Sequence, residues 1–304
     1  MGNFELVEGP VARGKDLWTF EGRLKWPVSF FPVRMTVIRS PEGALTLVSS
    51  FPPEPLILEE LGKLGTVELV LAPNAMHCLW GAEMRDACPG SKLAGPPNAL
   101  KRFPKVKWDA EIVEAGDLAS LRGTTGRSGV GGGGGDLLAW ATKDAGNPWM
   151  QEIVLLHAPS RTLIVTDLAF NFSRDTNAET PLPGGPLGAV FRNTYLPLAG
   201  GYRRCCPTKP FGLFCSDADA MCAVLDQIME QDFDQVVMAH GSVVRPPGGK
   251  EAFKEGTVAF FRDVAERQRR RSEKSGPSTA TLAALTVAAV AVAAGIWRLV
   301  QPTQ

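Results

Sequence analysis

The chain lacks most of the features that mark a function at once. Its six cysteines, Cys78, Cys88, Cys205, Cys206, Cys215 and Cys222, contain no CxxC pair. A chain of 304 residues needs no disulfide framework, so reduced thiols in a cytosol-like compartment are expected. An excess of charge of either sign is also missing: 32 lysines and arginines balance 32 aspartates and glutamates. No global field draws the protein to nucleic acid, and no nucleic-acid partner is expected. Met1 to Lys25 holds Glu5, Glu8, Asp16 and Glu21 and no continuous apolar run, so neither a secretory signal nor an organellar address is expected there. A phosphate-binding loop is absent as well. The glycine run Gly131 to Gly135 ends in Asp136-Leu137 instead of Gly-Lys-Ser/Thr, and it reads as a flexible insert near 126–136. No internal repeat is visible.

Histidine is scarce, with three residues in the chain, and its placement is informative. Leu69-Val70-Leu71-Ala72 leads by a short turn to His77, Ile153 to Leu156 runs into His157, and Val236 to Ala239 ends at His240. Leu163-Ile164-Val165-Thr166 ends in the same way at Asp167. Short continuous apolar runs are buried strands, and sites in layered α/β proteins gather on loops at one sheet edge. Imidazole and carboxylate are ligands that suit zinc or iron, so His77, His157, Asp167 and His240 are the candidate ligands of a metal site. A hydrogen-bonded structural role is the alternative for each of them taken singly.

At 44% apolar residues the chain buries a substantial core, which we read as one large domain over 33–266 behind a lead-in segment over 1–32. Arg34 to Arg39 and Ala44 to Val48 flank Ser40-Pro41-Glu42-Gly43, a β-hairpin pattern. Pro55 to Leu64 is apolar on one side at helical spacing and stops at Gly65 before a strand over Val67 to Ala72, and a second helix is expected from Leu79 to Ala87. His157-Ala158-Pro159-Ser160-Arg161 is a turn between two apolar strands. Thr180 to Gly188 reads as a surface loop, and the glycine-rich stretches near Gly184 and Gly200 are expected to border a pocket for a small-molecule substrate. Ser216 or Asp217 caps a helix through Gln231, a strand follows over Gln235 to Ala239, and a last helix covers Lys250 to Glu266.

The C-terminus changes character. A basic linker over 267–278 carries Arg267, Arg269, Arg270, Arg271 and Lys274, and Thr279 to Trp297 is then uncharged and rich in Ala, Leu, Val and Ile. Nineteen residues at about 1.5 Å rise give roughly 28 Å, close to a bilayer's hydrocarbon thickness. A transmembrane helix over 279–297 is therefore expected. It makes the membrane a partner through a single-pass C-terminal anchor, with the main domain on the cytosolic side as the basic flank dictates.

Three motifs carry a resemblance. Ala72-Pro73-Asn74-Ala75-Met76-His77, the run His157-Ala158-Pro159-Ser160-Arg161-Thr162-Leu163 with Thr166-Asp167, and Ala239-His240-Gly241 together resemble a family with a metallo-β-lactamase-like fold, over about Val33 to Phe261. The resemblance implies an α/β fold of the four-layer αββα sandwich type and a zinc or iron cofactor. It also implies hydrolysis of an ester, amide, thioester or phosphoester by metal-activated water. It makes His77, His157, Asp167 and His240 ligands, with Asp167 either completing the coordination or orienting water. The chain departs from the superfamily's H-x-H-x-D-H motif: only His77 stands there, with Asn74 and Met76 at other ligand positions and Cys78 where related members carry a second histidine. Cys78 is an optional thiolate ligand. Ser242 stands where an acidic residue usually follows the last His-Gly, so a mononuclear site is expected instead of a dinuclear one. Two functions remain open: a membrane-anchored metal-dependent hydrolase, and a non-catalytic membrane-tethered binding module on the same fold.

Overall fold

The computed structural model describes residues 3–26, 29–113, 136–142, 151–174, 179–180 and 182–274. A seven-stranded sheet runs in chain order through β1 (Phe4–Gly14), β2 (Leu17–Trp26), β3 (Ser29–Arg39), β4 (Ala44–Val48), β5 (Thr66–Leu71), β6 (Lys92–Gly95) and β7 (Ala110–Glu111). Its first four strands pair antiparallel and the remainder parallel. The residues read above as a lead-in segment thus supply the edge of the larger sheet. The hairpin expected around Ser40 to Gly43 forms between β3 and β4, with Gly43 N–H donating to the Ser40 carbonyl at 2.9 Å.

The smaller sheet holds β8 (Leu137–Ala141), β9 (Ile153–His157), β10 (Thr162–Ile164) and β11 (Gln235–Val237) in the order β11-β10-β9-β8. Alternation along each strand sorts side chains into layers. In β9, Ile153 and Leu155 meet Leu69, Leu71 and Ile38 of the larger sheet, whereas Val154 and Leu156 face helices. Helices α1 (Pro55–Leu64) and α2 (Gly81–Ala87) cover the far face of the larger sheet, Ile57, Leu61 and Met84 packing on Val37, Leu47 and Val70. The smaller sheet is covered by a second helical layer. Between the layers α3 (Pro97–Arg102) follows β6, and after β10 come α4 (Gly185–Val190), α5 (Leu196–Ala199), α6 (Lys209–Phe214) and α7 (Ala218–Met229). Two more follow β11, α8 (Gly249–Phe253) and α9 (Ala259–Lys274).

Helix starts and stops follow local chemistry. Pro55 occupies the first turn of α1, where its missing N–H costs nothing. Asp217 caps α7 by accepting from Ala220 N–H at 2.8 Å. The stretch read as a loop over Thr180 to Gly188 becomes helical at Gly185 and continues through a π turn, Phe191–Tyr195, into α5. The helix expected from Lys250 extends further than its apolar pattern: a π turn over Lys254–Val258 joins α8 to α9, which runs through the basic residues to Lys274. At that turn Gly256 lies so close to the Cys205 carbonyl that a Cβ would sit 2.1 Å from it, while Thr257 Oγ1 donates to the same oxygen at 2.9 Å. All six cysteines are free thiols.

Among the described residues no helix is long and apolar enough to cross a membrane. The expected span over 279–297 and most of the glycine-rich insert near 126–136 lie outside the described residues.

Leu155 is fully buried where the two sheets meet. Leu155→Ala should cost about 2–5 kcal/mol of folding free energy, read as a lowered urea midpoint at unchanged slope.

Candidate metal centre

Three strand ends deliver the site. Beyond β5 the chain passes Ala72 and Pro73 to Asn74, whose Oδ1 accepts the N–H groups of Met76 and His77 at 2.8 and 3.0 Å. This local turn aims the His77 ring inward. Beyond β10 comes Asp167, and beyond β11 comes His240, followed by Gly241 at φ +86 with its α-carbon face against the Asn171 backbone. A Cβ at Gly241 would lie 2.5 Å from Asn171 atoms in a conformation that side chains rarely adopt, so glycine is required for the turn.

His77, Asp167 and His240 place one ligand atom each within 4.8 Å of one another. His77 Nε2 lies 3.3 Å from Asp167 Oδ2, His240 Nε2 lies 3.5 Å from Asp167 Oδ1, and the two Nε2 atoms are 3.2 Å apart. The opposite ring nitrogens are engaged, His77 Nδ1 with Ser49 Oγ at 2.7 Å and His240 Nδ1 with the Pro32 carbonyl at 2.9 Å. A carbonyl only accepts, so His240 carries its proton on Nδ1 and turns a bare Nε2 into the site. Phe31 meets the His240 ring edge-on at 4.9 Å and Phe170 stacks on it at 5.6 Å.

A buried carboxylate underlies the cluster. Glu152 accepts the N–H of Thr166 at 2.7 Å on one oxygen and those of Asp167 and Leu168 at 2.8 and 3.1 Å on the other. Asn74 Nδ2 sits between the acids, 2.9 Å from Asp167 Oδ2 and 3.3 Å from Glu152 Oε2. Arg34 is equally buried: Nη1 donates to the Met238 and Gly241 carbonyls at 2.5 and 2.9 Å, and Nε to Glu21 at 2.7 Å.

The charges settle accordingly. Burial alone would lower the His77 pKa, but the Asp167 charge and hydrogen bond override it and hold His77 above its ordinary value. His240 is pushed down to about 4 by burial and by the neighbouring His77. For Asp167, burial raises the pKa, yet His77, His240 and Asn74 together bring it down to about 2. Glu152 is raised by burial and by Asp167, against the lowering effect of its backbone donors.

The structure does not bring His157 and Cys78 into this cluster. β9 and β10 pair antiparallel with His157 opposite Thr162, so His157 and Asp167 occupy opposite ends of the hairpin. Five residues of strand, at about 3.3 Å each, separate the His157 end from the Glu152 end by roughly 16 Å. His157 Nδ1 bonds Ser160 Oγ at 2.8 Å in the hairpin turn, which Arg161 closes in the left-handed region at φ 50. Cys78 points away into its own loop, its Sγ donating to the Ala75 carbonyl at 3.4 Å, and burial pushes the thiol up to about 12.

Glu152, Ser49 and Arg34 carry site architecture that the strand-end pattern missed. For Glu152 a signal existed, since stepping back five residues from His157 and on five from Thr162 sets it opposite Asp167. Arg34 sits at the polar phase of β3 and reads as solvent-facing until the second sheet is known to lie there.

No family profile matches the chain, and no curated protein does. Solved structures do. The metal-soaked Flv1 flavodiiron core from Synechocystis sp. PCC6803 superposes with a TM-score of 0.53 at 14% identity over 88% of this chain, which spans 62% of that core. The metallo-β-lactamase of Erythrobacter litoralis, with β-mercaptoethanol in its active site, gives 0.52 at 12% identity over 86% of this chain and 98% of its own. The Pseudomonas aeruginosa metallo-β-lactamase FIM-1 in its mono-zinc form gives 0.50 at 11% identity over 86% and 96%. The fold is that of the metallo-β-lactamases, and at such identities the likeness extends to the fold alone.

Two predictions follow from this geometry. Glu152→Ala strands three buried N–H donors and should lower stability by on the order of 3 kcal/mol or more in chemical unfolding. Cation binding must displace a proton from His77 below its raised pKa, whereas His240 is already neutral and Asp167 ionised near neutrality. Zinc affinity measured by competition titration should therefore climb about tenfold per pH unit up to the His77 pKa and level off above it. A flat profile below neutrality would contradict the assignment of His77 as the proton-bearing ligand.

Proposed function

We propose that this protein is a metal-dependent hydrolase with a mononuclear zinc or iron centre, held by His77, Asp167 and His240 and tethered to a membrane by its C-terminal segment. The observation that carries this reading is the convergence of the three donors within 4.8 Å. The donor set fits the group. Two imidazoles and one carboxylate suit zinc in an open catalytic site and equally a non-haem iron, because three protein ligands leave further positions for water and substrate. A bound cation of either kind polarises a carbonyl or phosphoryl oxygen and lowers the pKa of coordinated water toward about 7.

The protein's own residues supply orientation and shielding. Ser49 and the Pro32 carbonyl fix the far nitrogens of the two imidazoles, so the donor pair needs no rearrangement on loading. Asn74 holds Asp167 Oδ2 in place, and Glu152 fixes the backbone on which Asp167 stands. Phe31 and Phe170 keep water from the His240 ring on two sides. Asp167 Oδ1 faces the bare His240 Nε2 at 3.5 Å, and we assign to this carboxylate the orientation of water by accepting a hydrogen bond from it.

One observation favours the other reading, a tethered binding module without catalysis: His77 Nε2 already bonds Asp167 Oδ2 at 3.3 Å and His240 Nε2 at 3.2 Å without any cation. Metal analysis of the purified full chain separates the two. The hydrolase reading expects near-stoichiometric zinc or iron that falls at least about tenfold in His77→Ala, Asp167→Ala and His240→Ala and stays in place in His157→Ala. Metal-free, folded protein whose thermal midpoint is indifferent to added zinc or ferrous iron would support the module. The anchor is tested by alkaline carbonate extraction, in which removal of 279–297 should convert a membrane-retained chain into a released one.

A further inference from the structure

The segment from Leu182 to Ser216 contains no acidic residue, although the chain as a whole carries as many acids as bases. Within it α4, the π turn and α5 form one continuous helical run over 185–199. Its inner face is spoken for: Phe191 packs on Phe31 at 5.4 Å and stacks with Tyr195 at 4.8 Å, building the aromatic wall that continues to the His240 ring. The outer face is apolar and bare. Leu187, Val190, Thr194 and Leu198 recur at helical spacing, and Val190 and Leu198 are 59% and 71% exposed. On α6, which packs on the same aromatic cluster through Phe211, Leu213 is 55% exposed. A monomeric protein in water seldom gathers so many of its large exposed apolar side chains in one short segment.

Charge tells what covers them. Arg203 and Arg204 are exposed between the two helices and Lys209 at the start of α6, and the segment itself contains no carboxylate to offset them. Apolar side chains beside uncompensated basic ones are the composition of a helix lying in an anionic lipid interface. The route of the chain agrees: α9 runs alongside α6, Gln268 donating to the Cys215 carbonyl at 2.6 Å and Gly212 packing on Phe260 and Val264. The basic residues at the end of α9 therefore belong to a helix that packs against α6.

We infer that the face formed by 185–199 and 203–214 docks on an anionic lipid surface, apolar side chains in the acyl boundary and Arg203, Arg204 and Lys209 on the headgroups. The aromatic wall beside His240 then stands directly above the membrane. This contact deepens the membrane reading proposed above and is separable from the anchor.

The test uses the full chain in vesicles of phosphatidylcholine, alone or with about a third phosphatidylserine, and follows amide hydrogen exchange by peptide. Exchange over 185–214 should slow on the phosphatidylserine vesicles by about fivefold or more relative to phosphatidylcholine, while β9 peptides stay unchanged. Leu198→Glu and the double variant Arg203→Glu, Arg204→Glu should each abolish the slowing. All three positions are exposed, so an unchanged β9 pattern confirms that the variants fold. Equal exchange over 185–214 on both vesicles and in detergent overturns the inference, as does protection that appears only when a protein partner is added. Carbonate extraction run in parallel reports the anchor: a chain released by carbonate yet protected on phosphatidylserine keeps the docking face and loses the anchor, and the converse result keeps the anchor alone.

Discussion

Glu152 accepts three consecutive backbone N–H groups, those of Thr166, Asp167 and Leu168, and thereby decides where the chain goes after β10. The hydrogen bonds it accepts oppose the upward push that burial and the Asp167 charge exert on its pKa. Asn74 reads that anchor from the other sheet. Its amide reaches Glu152 and Asp167 while its carbonyl folds the loop that carries His77, so two loops from different sheets are registered against one another by a single side chain. Without this arrangement, Asp167 and His77 would belong to independent loops.

Much of the layer structure was legible in the sequence because burial on both faces writes itself as short continuous apolar runs. The turn and second strand of the β3–β4 hairpin, α1 and the capped α7 follow the pattern to within a residue or two, while β3 begins five residues before the Arg34 start read for it. The extent of the larger sheet was not, since the alternating polar positions of β1 and β2 resemble a loosely structured start and only their pairing with β3 gives them a partner. Asp167 and His240 stand at the strand ends where the pattern puts them. His157 shows the limit of that reasoning: a residue after a strand and a residue after the returning strand lie at opposite ends whenever the two pair antiparallel. The histidine in the longest and most specific motif thus serves the turn, bonding Ser160, and the less conspicuous Glu152 serves the site.

The similarity to metallo-β-lactamase and flavodiiron structures fixes the architecture and leaves the chemistry to the residues present. Asn74 offers an amide that positions Asp167, and the Ser242 hydroxyl accepts the Thr180 N–H at 3.3 Å. Cys78 is a protonated thiol turned to its own loop. The three donors stand close together, with Phe31 and Phe170 against the His240 ring.

Arg34 ties the architecture together from below. Rooted in β3 of the larger sheet, it grips the carbonyls of Met238 and Gly241 on both sides of His240, which belongs to the smaller sheet. His77 issues from the larger sheet and Asp167 and His240 from the smaller. The seam between the two sheets is therefore fastened at the arginine and fastened again at the three donors. Any slip of one sheet along the other would break the guanidinium's grip on two carbonyls and the contacts among the three donors together.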